Sequence, residues 1–259
     1  MVARHDEQLP LVQQRPAFEI ISSTDGDGHD DMRRRKEIKF AIPRADLGKL
    51  RASFRGPCRP VAYNEPVSTV RSVYFDDPAL SACRANLDGI GRRQKLRVRW
   101  YDALLPMRDF FVEIKWRNNI LTGKHRFQMR STSPLAELSY REIHATIATS
   151  VPESIAPYVL GASEPVVMVE FKREHFCAKY SGIRLTIDYD LACYDQLSKQ
   201  CLSTSFRKSL GDLVVVEAKM PVGREHELKD VIGPFTRRMT KCSKYVLGCR
   251  SLGLASPIS

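Results

Sequence analysis

The chain has 259 residues, 43% of them hydrophobic, and its 41 Lys and Arg residues against 30 Asp and Glu residues give a formal charge of +11. This length is enough for one sizeable core, and the positive excess favours an anionic partner, such as a phosphate polymer, a nucleotide, a nucleic acid or an anionic membrane surface. The seven cysteines form no CxxC pair, which excludes a zinc-ribbon signature and fits a reducing compartment.

The predicted elements follow one another in an order typical of an antiparallel sheet. Residues 1–32, which include SSTDGDGHDD, are predicted to be a disordered tail. Strands are predicted over 37–42, 69–75, 94–101, 109–116, 123–128, 166–176, 184–189 and 213–219, with a further one near 202–206. Helices are predicted from Pro43 to about Phe54, over 79–86, from Ser133 as N-cap to about Ala148, and from about Arg224 with a break at Gly233-Pro234.

Strands follow strands along this chain far more often than strands and helices alternate. This order favours an α+β fold, with an antiparallel sheet or barrel and a few packed helices, over a doubly wound fold.

One predicted strand carries basic residues where a buried strand would be apolar. In an extended chain, alternate residues share a face, so RRQKLRVRWY at 92–101 separates into a basic face and an apolar face. The basic face holds Lys95, Arg97 and Arg99. Like charges this close repel unless they are compensated, so a solvated strand face or surface ion pairs explain the set less well than a bound polyanion. We interpret it as a site for a chain of phosphates.

The sequence contains none of the common phosphate loops or nucleophile motifs. There is no GxGxxG, no GxxxxGK[ST] and no recognisable Ser/His/Asp arrangement, so side chains rather than backbone amides are expected to hold the phosphates. Nucleic acid is not an expected partner, because Trp100, Tyr101 and Trp116 alternate with the charges as a core face does and provide no stacking platform.

Eight short motifs, taken together and in order, resemble the VTC domain, the polyphosphate-polymerase branch of the CYTH-like triphosphate tunnel enzymes. They are EIKF at 37–40, RSVYFDD at 71–77, RRQKLRVRWY at 92–101, VEIKW at 112–116, EFKREHF at 170–176, RLTIDYD at 184–190, VVVEAKM at 214–220 and TKCSKYVLG at 240–248. The resemblance implies an antiparallel eight-stranded β-barrel, the triphosphate tunnel, over residues 33–255, with packed helices that include a C-terminal helix. It also implies metal-dependent transfer of the ATP γ-phosphate to a growing polyphosphate chain.

The resemblance and the two-residue periodicity together predict the residues of the site. Arg97, Arg99 and Lys115 are predicted as the catalytic set. Phosphate contacts are predicted for Lys39, Arg71, Lys95, Lys124, Arg126, Arg173, Arg184, Lys219, Lys241, Ser243 and Lys244. Of these, Lys124 and Arg126 are not separated as matches to one family position, although Lys124 is preferred. Arginine suits this task because its planar fork meets two phosphate oxygens.

Carboxylates along the same strands are candidate ligands for Mn²⁺ or Mg²⁺. Glu217 matches the metal glutamate of the family, and Glu37 and Glu113 are second choices. For these two, ion pairing with Lys39 and Lys115 is an equal alternative.

Two departures from the family pattern bear on the reaction. Arg35 stands where tunnel hydrolases and cyclases have the first glutamate of ExExK, which weakens the assignment of a hydrolase or cyclase activity. Phe171 stands where the polymerase pattern often has tyrosine. The alternatives are a tunnel triphosphatase acting on tripolyphosphate or a nucleoside triphosphate, and a non-catalytic module that binds polyphosphate or inositol phosphates.

The expected partners are ATP and polyphosphate. No apolar run approaches the roughly 20 residues needed to cross a bilayer, and the N-terminus lacks the apolar segment of a signal peptide. We therefore expect a cytoplasmic location, with attachment to the inner face of a membrane through a membrane-protein partner left open.

Overall fold

A computed structural model describes residues 17–24, 35–63, 65–119, 121–233 and 242–255. Its strands are β1 (Phe18–Thr24), β2 (Arg35–Pro43), β3 (Cys58–Val61), β4 (Val67–Asp76), β5 (Arg92–Tyr101), β6 (Asp109–Asn118), β7 (Leu121–Ser131), β8 (Glu164–Ala178), β9 (Arg184–Asp195), β10 (Lys208–Ser209) and β11 (Leu213–Pro221). Its helices are α1 (Leu47–Phe54), α2 (Ser81–Leu87), α3 (Tyr140–Ser150), α4 (Ala156–Leu160), α5 (Glu227–Ile232) and α6 (Lys244–Ser251), with short 3-10 turns at Arg44–Asp46 and Leu135–Glu137.

The strands form one antiparallel sheet that curls on itself. Its order is β1-β7-β6-β5-β4-β8-β9-β11-β2, with β10 paired to β9 and β3 paired to β8. Among the described residues no ladder joins β2 to β6 or β7, yet Lys115 Nζ on β6 lies 3.4 Å from Glu37 Oε1 on β2. The side chains therefore bridge the gap and complete a barrel-like tunnel. The predicted α+β barrel is confirmed, although three further strands, β1, β3 and β10, join the eight that were expected.

The apolar side chains of the sheet pack mainly on its outer face. One cluster places Val73, Leu96, Val98 and Ile114 beneath α3 and α4, and a second places Ile38, Phe40, Ile187 and Val216 beneath α1 and α5. Because each of these strands alternates, burial of the apolar residues outside leaves the polar residues inside.

The inner face is apolar only at one end, where α6 fills it. Tyr245 of α6 stacks on Tyr74 of β4 with ring centroids 5.1 Å apart, and its hydroxyl donates to Asp76 at 2.6 Å. Gly248 lets the helix approach the sheet closely, since a Cβ there would lie 3.0 Å from a methyl carbon of Val167. The predicted C-terminal helix is thus seated inside the curl and leaves the rest of the interior to charged groups.

The N-terminal segment corrects the prediction of a disordered tail over residues 1–32. Phe18–Thr24 is a strand that pairs with β7, from Phe18 opposite Ser131 to Thr24 opposite Arg126. Phe18 supplies the apolar anchor, because it is buried and packs edge-on against Phe110 at 5.1 Å. The remainder of the predicted tail lies outside the described residues.

Several predicted element boundaries also differ. The helix predicted from Ser133 is divided, because Leu138 is extended, with a ψ of 146°, between the 3-10 turn at Leu135–Glu137 and α3. Helix α3 begins after Ser139, which forms a capping box with Glu142. The stretch near 202–206 forms no strand, and β3 and α4 were not predicted. Within the described chain no helix is long and apolar enough to cross a membrane.

We expect the outer apolar face to dominate stability. Leu50 of α1 is fully buried against this face, whereas its neighbour Lys49 has a side chain that is 78% exposed. Leu50→Ala should lower the free energy of unfolding by about 2–5 kcal/mol. Lys49→Ala should change it by less than about 0.5 kcal/mol, and the midpoints of urea unfolding measure both. Equal effects would contradict this account of the core.

Candidate functional site

Directly opposite residues of paired strands point to the same face, so the registers identify the interior lining. Arg97 faces Glu113 and Glu113 faces Arg126, while Lys95 faces Lys115. The basic members of the lining, with one from α6, are Lys39, Lys95, Arg97, Arg99, Lys115, Lys124, Arg126, Arg173, Lys219 and Lys244. The acidic members are Glu37, Glu113, Asp188 and Glu217. The interior therefore carries a positive excess.

Glu113 is the counter-ion of the cations on β5 and β7. Its carboxylate accepts from Arg97 at 2.7 Å and from Lys124 at 3.2 Å, and it lies 3.3 Å from Arg126 and 3.7 Å from Arg99. Burial opposes its ionisation, but the surrounding cations hold the pKa of Glu113 well below its ordinary value. So enclosed, Glu113 offers little to a metal ion, and its role as an ion-pair partner is the better supported alternative.

Both of the residues that the sequence left unseparated on β7 face the interior. Lys124 is opposite Lys115, and Arg126 is opposite Glu113, two residues further along the same face. The structure thus places both side chains in the lining, and no choice between them is needed.

A second charged group joins β2 to β11. Lys39 Nζ lies 3.0 Å from Glu37 Oε1 and 3.4 Å from Glu217 Oε2, and Lys219 Nζ lies 3.0 Å from Glu217 Oε1. Burial and mutual repulsion of the two carboxylates raise the pKa of Glu37, but Lys39, Lys115 and Lys219 bring it below its ordinary value. Burial opposes ionisation of Glu217, but Lys39 and Lys219, with Arg173 and Lys244, hold its pKa well below its ordinary value.

The third group anchors α6 to the interior. Arg173 donates to Asp188 through Nε at 2.6 Å and Nη2 at 2.7 Å, and Lys244 Nζ donates to the same carboxylate at 2.6 Å. Asp188 is fully buried, which opposes ionisation, yet these two cations lower its pKa to about 2. Asp188 therefore holds Arg173 and the first residue of α6 in fixed positions.

Among the ten basic residues of the lining, Lys95 is the one that forms no ion pair with a described carboxylate. Its Nζ donates to Ser243 Oγ at 2.7 Å. Burial, followed by repulsion from Arg93, Lys115 and Lys39, lowers the pKa of Lys95 to about 8. Desolvation likewise lowers the pKa values of Lys115 and Lys124, although the Lys115 side chain is still partly exposed to solvent. Cations that are disfavoured in this way would be stabilised by a bound anion.

Tyr74 is an interior residue that the sequence reasoning missed. It lies opposite Arg97, whose Nη1 donates to the Tyr74 hydroxyl at 3.0 Å. Burial raises the pKa of this phenol, but Arg97, Arg99 and Lys244 lower it to about 8. Ser72, two residues earlier on the same face, accepts from Arg99 at 3.0 Å, so this face of β4 adjoins the interior cations, which the sequence alone did not reveal.

Arg71 does not face the interior, which corrects the prediction that it binds phosphate there. It lies opposite Glu170 and Trp100, on the outer face that also carries Val73. Its guanidinium donates to Glu170 at 2.7 Å and to the carbonyl oxygens of Asp102 and Ala103 at 3.1 and 2.8 Å. These bonds fix a loop and leave little capacity for a ligand.

The remaining predicted residues lie near the ends of the interior. Arg184 and Lys219 are directly opposite each other and are exposed at the rim. Ser243 and Lys244 begin α6 and reach the interior. Lys241 lies outside the described residues.

The described residues fit a divalent cation only in part. No group of three or more His, Cys, Asp or Glu side chains in the described ranges could hold a metal. Glu37 and Glu217, however, flank one lysine, and Glu217 lies close enough to raise the pKa of Glu37. Mg²⁺ commonly uses one or two carboxylates together with substrate phosphates and water, so this pair fits a metal that arrives with the substrate.

We expect Asp188 to stabilise the fold through its two cations. Asp188→Asn should lower the free energy of unfolding at pH 7 by about 3 kcal/mol or more, because Arg173 and Lys244 would stay buried without their counter-ion. A carboxylate whose pKa is lowered from 3.8 to about 2 stabilises above pH 4 and loses this effect as the pH falls towards 2. The difference between wild type and variant should therefore narrow over that interval.

Urea titrations at several pH values measure this difference. Asp190→Asn is the control, because that carboxylate is partly exposed and pairs with Arg44 at 2.9 Å and Lys172 at 3.4 Å, so its loss should change stability by about 1 kcal/mol or less. Equal losses in the two variants at pH 7 would contradict the expected role of Asp188.

Comparison with solved structures returns chains of low identity. The PH1819 protein from Pyrococcus Horikoshii OT3 is 13% identical, with 82% of this chain and 97% of that chain covered and a TM-score of 0.42. The putative adenylyl cyclase HpAC1 from Hippeastrum, described as having a dominant triphosphatase activity, is 14% identical over 86% and 98% of the two chains with a TM-score of 0.44. The inorganic triphosphatase NE1496 is 15% identical over 85% and 98%, with a TM-score of 0.31. With TM-scores this low, these similarities support no conclusion about activity.

Comparison with protein families gives a direct result. No curated protein sequence matches the chain. The model of the VTC domain, in contrast, matches residues 34–253, which span the curled sheet from β2 to α6 and every group of the charged interior. The match confirms the resemblance found in the eight motifs, and the chain belongs to the VTC domain family.

Proposed function

We propose that the protein is a metal-dependent polyphosphate polymerase that transfers the γ-phosphate of ATP to a growing polyphosphate chain inside the curled sheet. The observation that carries the proposal is the excess of cations over carboxylates along the interior lining, in which Lys95 has no described carboxylate partner. A polyanion would supply the missing negative charge.

The spread of the cations supports a chain rather than a single phosphate. Lys95 and Arg99 are four residues apart on β5, which corresponds to about 13 Å of extended strand. Further cations continue from Lys39 on β2 to Arg184 and Lys219 at the rim. A ligand that satisfies all of them is long and charged at regular intervals.

The interior can promote phosphoryl transfer by positioning and charge neutralisation. In the proposed reaction, an anionic oxygen of the terminal phosphate of the acceptor chain attacks the γ-phosphorus in line. The bond between that phosphorus and the β–γ bridging oxygen breaks, and ADP leaves with the electron pair. Arg97, Arg99 and Lys115 would bind the non-bridging oxygens, on which negative charge is spread in the transition state. No covalent intermediate with the protein is required.

Fixed partners keep these cations in place before the substrate arrives. Arg97 is held by Glu113 and by the Tyr74 hydroxyl, and Arg99 by Ser72. Glu37 and Glu217 would hold the metal, which when bound would neutralise phosphate oxygens and help to align the two substrates.

One observation favours hydrolysis as a second candidate. Because α6 packs inside the curl, with Tyr245 stacked on Tyr74, it reduces the space that the interior offers to a long product. A triphosphatase, which releases short products, would not meet this constraint. The missing glutamate at Arg35 weighs against hydrolysis, and the number of cations weighs towards a polymer.

Incubation with γ-labelled ATP and Mn²⁺ or Mg²⁺ separates the candidates. Long labelled chains on a gel would support the polymerase, free phosphate alone would support the triphosphatase, and binding without turnover would support a binding module. The last two outcomes would each overturn the proposal.

Substitutions in the interior should abolish activity without unfolding the protein. Arg97→Ala removes a transition-state contact, and Glu217→Gln removes the expected metal ligand, so each should lower the rate by at least about 100-fold. Lys36→Ala is the control, because Lys36 adjoins Glu37 on β2 but points outward and pairs with Glu225 at 2.9 Å. A wild-type rate in Glu217→Gln would refute the metal role.

Binding of tripolyphosphate in the absence of metal should weaken above pH 8. Lys95, whose pKa is about 8, is charged below that pH and neutral above it, while Tyr74, also with a pKa of about 8, becomes an anion beside Arg97. Each change disfavours an anion, by up to about tenfold per pH unit for each group. Calorimetric titrations from pH 7 to 9.5 measure the slope.

Two variants separate the contributions to that slope. Lys95→Arg keeps the charge at high pH, and Tyr74→Phe removes the phenol, so each should flatten the pH dependence of affinity. Wild-type slopes in both variants would contradict the assignment of these groups.

A further inference from the structure

One row of the sheet continues the inner face beyond the interior. Four successive strand pairings place its members directly opposite one another, and they come from β3, β8, β9, β11 and β2. The row consists of Arg59, Cys177, Arg184, Lys219 and Glu37. The adjacent row, two residues inward, includes Glu217 and Lys39. The outer row is therefore the rim of the interior, and β3 extends this rim past β8.

The rim carries positive charge that the described protein groups do not balance. Arg184 and Lys219 are directly opposite, an arrangement in which like charges are destabilising. Only Lys219 has a carboxylate partner, Glu217, which it shares with Lys39. In the described chain, neither Arg59 nor Arg184 forms an ion pair, and both are exposed.

Two basic residues on the outer side of neighbouring elements have carboxylate partners. Lys36 of β2 pairs with Glu225, and Arg51 of α1 pairs with Glu174. Unbalanced positive charge thus continues along the inner row, where it follows the polyanion-binding face, while these outer cations are balanced by carboxylates.

We propose that Arg59, with Arg184 and Lys219, forms a rim subsite that holds the polyphosphate chain outside the charged interior of the curled sheet, here called the chamber. The inference rests on the proposed function, because it extends the path of the same polymer. Strands lie about 4.8 Å apart, so Arg59 and Arg184, separated by β8, are about 10 Å apart at the backbone. A chain that fills the chamber and continues over the rim reaches Arg59, whereas a triphosphate bound inside does not. Arg59 therefore determines preference for chain length.

Binding to the full chain without metal or ATP tests this subsite. Long sodium polyphosphate and tripolyphosphate are the two probes, and affinity is measured as a function of salt. Arg59→Ala should weaken binding of the long chain by about threefold to tenfold and lower its salt slope by about one, as loss of one phosphate contact does. Tripolyphosphate should bind as it does to the wild type.

Two further variants are matched to Arg59→Ala. Arg59→Lys keeps the charge and should retain most of the affinity. Arg55→Ala removes the same side chain four residues earlier, at the end of α1 and off the rim row, and should leave both probes unaffected. Circular dichroism verifies that the variants fold.

Cys177 supplies an independent measurement, because it lies opposite both Arg59 and Arg184 and is half-buried. Long polyphosphate should slow alkylation of Cys177 by iodoacetamide in the wild type, as read by peptide mass spectrometry, and tripolyphosphate should not.

The outcomes separate this inference from the function on which it rests. Unchanged binding of the long chain in Arg59→Ala, or an equal loss for both probes, would overturn the rim subsite and leave the polymerase proposal standing. Failure of the wild type to bind either probe would overturn both.

Discussion

The structure depends on the partial neutralisation of positive charge inside a curled sheet. Glu113 alone lies within 4 Å of four cations, and Asp188 binds two more. Without these carboxylates, the lysines and arginines that face the interior would repel one another, and this repulsion would disfavour the curled sheet. The carboxylates remove enough repulsion for the sheet to curl, and they leave the surplus that a polyanion can use. Stability and binding are therefore set by the same few groups.

This arrangement places most of the hydrophobic core outside the barrel, while a smaller cluster surrounds α6 inside it. Helices α1, α3, α4 and α5 cover the outer wall, and the residues that they bury alternate with the interior charges. Each of these strands therefore has one face against the hydrophobic core and the other face against the charged interior. A one-residue slip of a strand would expose apolar residues to the chamber and bury cations in the core, so packing outside strongly fixes the register of the charges inside.

Alternation within one strand was enough to predict the charged face of β5, and eight motifs in order were enough to predict the fold. Arg71 was misplaced because β4 is buried on both faces: Val73 and Phe75 lie outside, and Val70 and Tyr74 inside. Such a strand has no exposed polar face, so its sequence does not reveal which of its residues point into the interior. Strand Phe18–Thr24 was missed because its partner lies more than 100 residues away and its sequence is mostly polar. Tyr74 looked like a core aromatic, and only its pairing with Arg97 shows otherwise.

The position of α6 inside the curled sheet couples the C-terminal part of the chain to ligand binding in the chamber. Lys244 begins this helix and binds Asp188, while Ser243 just before it binds Lys95. A ligand that attracts Lys95 or Lys244 competes with the contacts that dock the helix. By thermodynamic linkage, if undocking of the helix changes ligand affinity by a given factor, ligand binding changes the docking equilibrium by that same factor. Docking of α6 is thus energetically coupled to binding of the phosphates that it would contact. A change that loosens or tightens this helix would alter ligand affinity in the interior without touching the ligand.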